Sequence, residues 1–154
     1  MSRENVDLVR DFYEAFARGE FPVDVIDPNV EYINPAEAVE PGNRNGISAF
    51  RRAVEAVFDE WETWQMEPEQ FTAIGDQVAV VVRYRARGRT SGVELEGRES
   101  ARLTIRDHKV VRYEWFHDPG DALRAAVIVA RAGPRARRPG GDVRCGRTAR
   151  QDEL

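Results

Sequence analysis

Apolar side chains recur at steps of three and four through the first turns of the chain, where Val6, Val9, Phe12, Tyr13 and Phe16 share one face. That spacing predicts a helix over residues 4–18, with Ser2 as N-cap and Gly19 as its stop. Phe21 to Ile26 predicts a short second helix ended by Asp27-Pro28-Asn29, and Val30-Glu31-Tyr32-Ile33-Asn34 then reads as a strand cut off by Pro35. Residues 36–46, rich in Gly, Pro and Asn, predict a loop. From Ser48 onward Phe50, Val54, Val57, Phe58, Trp61 and Trp64 return at helical spacing, which predicts a long helix with an aromatic-rich buried stripe and Pro68 just past its end.

The second half changes period. Runs 77–88, 93–106 and 109–117 alternate in character and are joined by Arg89-Thr90-Ser91-Gly92 and Arg106-Asp107-His108, with His108 expected in the left-handed conformation. Alternation sorts each run into two faces. Val80, Val82, Tyr84 and Ala86 fall on one face of the first run, and Val81, Arg83, Arg85 and Arg87 on the other. In the second run Val93, Leu95, Gly97, Glu99, Ala101, Leu103 and Ile105 oppose Glu94, Glu96, Arg98, Ser100, Arg102 and Thr104. In the third, Val111, Tyr113, Trp115 and His117 oppose Arg112, Glu114 and Phe116, and a three-residue loop at 106–108 keeps the odd positions of both strands together. Asp118-Pro119-Gly120-Asp121 predicts a last helix, with Asp118 as N-cap, Pro119 at the first helical position and Asp121 as the box partner. Helices, strand, helix, meander and helix in that order make an α+β domain over residues 3–131, a curved antiparallel sheet with helices closing an apolar pocket.

Composition narrows the classes. With 42% apolar and 32% charged residues the chain of 154 has ordinary globular usage, and no apolar run approaches a membrane span. The N-terminus runs straight into amphipathic sequence, so a cytoplasmic location is expected and the terminal Gln151-Asp152-Glu153-Leu154, similar to an ER-retention signal, is read as chance. Residues 1–130 carry a net charge of −8 and residues 131–154 one of +4. The second segment, 132–154, is dense in Arg, Pro and Gly without apolar periodicity and is read as a disordered tail. The arginine row 83, 85 and 87 would face Glu94 and Glu96 across a hairpin, so a nucleic-acid surface is not expected, nor a membrane one. Val81 and Phe116 on that outer face are candidates for a dimer contact. One cysteine, two histidines and no HExxH, CxxC or phosphate-loop motif leave no metal or nucleotide signature, and no cofactor is expected.

The inner face carries one carboxylate, Glu99, and one imidazole, His117. A lone buried carboxylate is costly unless paired or protonated. In this register His117 lies across from Gly97 or Glu99, and a Glu99–His117 pair is the candidate acid/base couple; the plainer reading places both at a pocket rim in contact with water. Tyr13, Tyr32, Tyr84 and Tyr113 bring hydroxyls, and Trp61, Trp64 and Trp115 bring large apolar surfaces. Each aromatic is more often core than site, but together they form a plausible lining for a small molecule.

Four segments carry a family resemblance: Val9-Arg10-Asp11-Phe12-Tyr13-Glu14-Ala15-Phe16-Ala17-Arg18-Gly19-Glu20, Asp27-Pro28-Asn29-Val30-Glu31-Tyr32, Gly75-Asp76-Gln77-Val78, and Lys109-Val110-Val111-Arg112 through Asp118. In order and spacing, over residues 5–126, they resemble the SnoaL-like branch of the nuclear-transport-factor-2-like (NTF2-like) superfamily. The resemblance implies a cone-shaped α+β barrel, commonly a homodimer, whose members include polyketide cyclases, ketosteroid isomerases, epoxide hydrolases, dehydratases and pocket proteins of no assigned reaction. The isomerase residues do not carry over: the general-base aspartate falls at Asn34, the helix tyrosine near Phe12, and the buried acid near Ala101. Ketosteroid-type proton shuttling through those positions is therefore disfavoured. The expectation is a SnoaL-like pocket protein of unassigned reaction that binds a small apolar or aromatic molecule through Tyr13, Tyr32, Asn34, Trp61, Tyr84, Tyr113 and Trp115. The alternatives are a cofactor-independent cyclase, isomerase or epoxide-hydrolase-type enzyme using Glu99 and His117, and a dimeric interaction module.

Overall fold

Helix α1 (Ser2–Ala17) turns Val9, Phe12, Tyr13 and Ala15 into the core, as its periodicity predicts. The computed structural model describes residues 2–38 and 41–133, so the tail reading lies outside the described residues beyond Gly133. Six strands follow: β1 (Ile26–Asn34), β2 (Gly42–Asn45), β3 (Trp61–Ile74), β4 (Gln77–Gly88), β5 (Glu94–Arg106) and β6 (Lys109–Phe116). Helix α2 (Ile47–Glu60) precedes β3, and α3 (Asp121–Ala132) follows β6. The sheet order is β2-β1-β6-β5-β4-β3, antiparallel except that β1 runs parallel to β6. It is a curved α+β sheet that does not close on itself.

Five local expectations are corrected. The predicted helix over Phe21–Ile26 is only a single 3-10 turn, Val23–Val25, and Ile26 already begins β1. Asp27 Oδ1 accepts the amide of Asn29 at 2.8 Å, which bends the chain inside β1 where pairing with β6 shifts between Ile26 and Glu31. The predicted loop over 36–46 contains β2, which pairs with β1 from Glu31↔Asn45 to Asn34↔Gly42. An edge strand of Gly-Asn-Arg-Asn buries no face and so shows no apolar alternation.

The largest correction concerns the long helix. It ends at Glu60, and Trp61 (φ −112°, ψ 134°) enters β3 directly, so Trp61 and Trp64 stand on a strand. Pairing of β3 with β4 shifts between Trp61 and Thr63 and again between Pro68 and Gln70. Each bulge offsets the two-residue period by one position and leaves three-residue spacings that imitate a helix. Pro68 is tolerated because β3 is an edge strand.

The final helix begins at Asp121 instead of near Asp118. Asp118 does not cap it: its Oδ1 accepts the Gly120 amide at 2.7 Å in a local turn. The cap comes from β5 instead, where Ser100 Oγ accepts the Ala122 amide at 3.2 Å and donates to the Asp118 carbonyl at 2.6 Å.

At the β5–β6 turn both Asp107 (φ 50°) and His108 (φ 59°) are left-handed, a two-residue turn in place of the three-residue loop. The shared face of the odd residues survives because the register shifts between Thr104 and Ile105, after which Leu103 faces Tyr113 and Ala101 faces Trp115. Inner positions Val78, Val80, Val82, Leu103, Ile105, Val110 and Tyr113 pack with Val9, Phe12 and Tyr13 of α1 and Phe50 of α2. The outer face holds ion pairs and α3, whose Ala122 and Leu123 lie beside Val81.

Candidate functional site

Where α2 stands off the inner face of the sheet, a cavity of about 330 Å³ remains. Its wall takes Phe16 from α1, Tyr32 and Asn34 from β1, Arg44 from β2, and Phe50, Ala53, Val54 and Val57 from α2. Ala56, Phe58 and Glu60 of α2, Glu37 and Ala38 after β1, Trp61, Trp64 and Met66 of β3, Glu99 of β5, Tyr113 and Trp115 of β6, and His117 just past β6 complete it. Most of the lining is aromatic or aliphatic, with few polar groups.

One side of the wall is a packed aromatic stack. Tyr32 stacks on Phe50 with ring centroids 4.7 Å apart and on Tyr113 at 5.7 Å. Tyr113 shares a 3.3 Å hydrogen bond with the hydroxyl of Tyr13 behind it. Burial pushes the Tyr32 hydroxyl up to about 12 and the Tyr13 and Tyr113 hydroxyls higher still. All three remain protonated at any working pH, with one hydrogen of the Tyr13–Tyr113 pair committed to their shared bond. Trp115 Nε1 donates to Asn34 Oδ1 at 2.5 Å, which uses the side-chain oxygen of Asn34 as an acceptor and fixes the indole.

Glu99 is the acid/base candidate in this wall. It sits on β5 opposite Val82, half-buried, and burial alone raises its carboxyl from 4.5 to about 7. No hydrogen bond or ion pair joins it to His117, although both line the cavity. Glu99 and His117 stand one position beyond the last paired residues, Ser100↔Phe116. His117 is exposed, its ring edge-on to Trp115 at 4.7 Å.

Of the residues singled out in the sequence, Tyr32, Asn34, Trp61, Tyr113, Trp115, Glu99 and His117 meet at this cavity. Tyr13 stands behind the wall, in the core. Tyr84 also lies outside the lining: it stacks on Trp64 at 5.7 Å and 7°, filling the space that the missing side chain of Gly97 leaves. The sequence reading missed Met66 and Arg44 and did not place Phe50, Val54 and Val57 in a site, while Trp64, counted there among the lining aromatics, does line the cavity. The stripe on α2 was visible but is indistinguishable from a core stripe, and the Trp64–Met66 alternation was hidden by the neighbouring bulges. Arg44, in a polar edge strand, gave no signal. Among the described residues there is no cluster of three or more His, Cys, Asp or Glu side chains fit to hold a metal ion, and no helix is long and apolar enough to cross a membrane.

Comparison with known proteins places this geometry. The family model of the SnoaL-like domain matches residues 9–113. Among curated proteins no significant match is found. Among solved structures, TerC co-crystallised with polyporic acid superposes with a TM-score of 0.67 at 19% identity, covering 82% of this chain and 99% of TerC. A protein from Jannaschia sp. CCS1 described as a SnoaL-like polyketide cyclase gives a TM-score of 0.68 at 18% identity over 86% of this chain and 94% of its own. An NTF2-like protein from Burkholderia xenovorans LB400 gives 0.64 at 27% identity over 82% and 98%. With the family model spanning most of the chain and NTF2-like structures superposing on it, the protein belongs to the SnoaL-like domain family of the NTF2-like superfamily.

Proposed function

We propose that the chain is a small-molecule pocket protein whose ligand is compact, largely apolar and aromatic. The observation that carries this reading is the cavity of about 330 Å³, walled by Phe50, Trp61, Trp64, Met66 and Trp115 with few polar groups among them. A space of this size and lining suits a ligand of two or three rings, held by dispersion and ring contacts and oriented by a small number of hydrogen bonds. The co-crystallisation of TerC with polyporic acid supports the same use of the fold. The test is thermal shift against a panel of two- and three-ring aromatic compounds, repeated on Ala53→Trp, which places an indole in the cavity. Ligands that raise the Tm of the wild type and not of the variant are expected. A panel without effect on either protein, at millimolar concentration, would count against a ligand pocket.

A second reading, a cofactor-independent enzyme of the cyclase, isomerase or hydrolase type, is favoured by Glu99. A carboxyl near 7 inside an apolar cavity gives and takes protons with comparable ease at neutral pH. Under this reading Glu99 is the acid/base group, Tyr32 and Tyr113 are donors, and His117 acts through the substrate or water instead of through a direct bond to Glu99. Turnover of a cyclic ketone or an epoxide, reduced at least about 100-fold in Glu99→Gln with a pH break near 7, is its expected signature. Turnover unchanged in that variant removes the assignment.

A further inference from the structure

Glu99 lacks what buried carboxylates normally have. Tyr13 from α1, Tyr32 from β1 and Tyr113 from β6 are electrostatically coupled to it, but each is neutral. Tyr84 of β4 is turned to Trp64, and Glu37 and Glu60 on the cavity wall carry the same sign as Glu99. The charge of Arg44, on β2, acts on Tyr32, and neither Arg44 nor His117 displaces Glu99, which responds to burial alone. Among the described residues, none forms an ion pair or a hydrogen bond with the Glu99 carboxyl. Trp61, Trp64 and Trp115 line the same cavity, and indole ring quadrupoles attract cations. A neutral ligand leaves the charge of the ionised carboxylate uncompensated, and an anionic one is repelled by it; an organic cation answers both the carboxylate and the rings.

We propose that the cavity takes a small aromatic amine in its ammonium form, with the N–H group donating to Glu99 and the ring lying among Trp61, Trp64 and Trp115. This deepens the pocket reading and rests on it.

The experiment is calorimetric titration of the full chain with 2-naphthylmethylamine and with 2-naphthalenemethanol, a neutral molecule of the same shape, on wild type and Glu99→Gln. At about pH 8 the amine binds the wild type at least about tenfold more tightly than the alcohol, and that preference disappears in the variant. Below about pH 7 the amine loses about tenfold in affinity per pH unit and its binding releases a proton, because Glu99 must ionise to meet it. This second measurement needs only the wild type and so does not depend on how the variant folds. If the alcohol binds as tightly as the amine, or the preference survives in Glu99→Gln, the amine assignment is overturned while the apolar pocket stands. If neither compound binds the wild type, both fall.

Discussion

Glu99 ties the cavity to the stability of the chain through its proton. In the unfolded chain a glutamate ionises near 4.5, whereas in the fold burial holds Glu99 protonated up to about 7. Between those values the folded state holds one proton more than the unfolded state, so stability falls as pH rises through this window and levels off above it. A half-buried group with such a shift accounts for about 2–3 kcal/mol after allowance for solvent screening. Glu99→Gln removes the ionisation. Its Tm relative to wild type is expected to rise from near zero below about pH 4.5 to several degrees above about pH 7, read by thermal melts across that range. A difference that does not vary with pH would show that the carboxyl is solvated. The neighbouring tyrosine pair behaves oppositely, because its hydrogen bond is already made. Tyr113→Phe leaves the Tyr13 hydroxyl buried without that partner and is expected to cost about 1–2 kcal/mol in urea unfolding. The double variant with Tyr13→Phe should recover part of the loss. Such residue-level chemistry was half legible: Glu99 stood out as the one carboxylate on an apolar face, but that it would lack a bond to His117 depends on side-chain placement at a strand end, which alternation does not encode.

Among the elements, those whose local signals agree with their tertiary place were readable. Helix α1 and strands β4, β5 and β6 form close to the predicted residues, although in β5 the expected inner Leu95 is exposed and the expected outer Ser100 and Arg102 are buried. Strand β3 did not, because two bulges in one edge strand turn a period of two into steps of three, and Trp61 and Trp64 then extend the stripe of α2. Strand β2 was invisible for a different reason: it contributes backbone pairing alone. The α3 start was misplaced because Asp118-Pro119-Gly120 looks like a cap while the capping oxygen comes from Ser100, about twenty residues earlier in the chain. That long-range cap gives a test. Ser100→Ala removes both of its bonds within a buried site and is expected to destabilise by about 1–2 kcal/mol, with hydrogen exchange at the Ala122 amide rising more than at amides in the middle of β4.

For the molecule as a whole, the sheet divides labour between its two faces, apolar core and cavity inside, charge and α3 outside. The outer charges are of two kinds. Arg83–Glu96, Arg85–Glu96 and Arg87–Glu62 lie toward the solvated end of β4 and β5, with side chains at least 37% exposed. Arg102–Glu114 lies in mid-sheet with 9% and 17% exposure and an N···O distance of 2.5 Å. The same pairing of arginine with glutamate therefore has different consequences, since exposed pairs are weak and screened while removal of one partner from a sequestered pair strands the other. Glu96→Gln is expected to change unfolding free energy by less than about 0.5 kcal/mol, and only in low salt. Glu114→Gln is expected to cost about 3 kcal/mol at any ionic strength, because Arg102 keeps its charge in a place with little water. Urea unfolding of both variants in low and high sodium chloride separates the two. Equal effects would mean that Arg102 reaches solvent, and that the outer face is a uniformly hydrated surface instead of a second, polar layer of the fold.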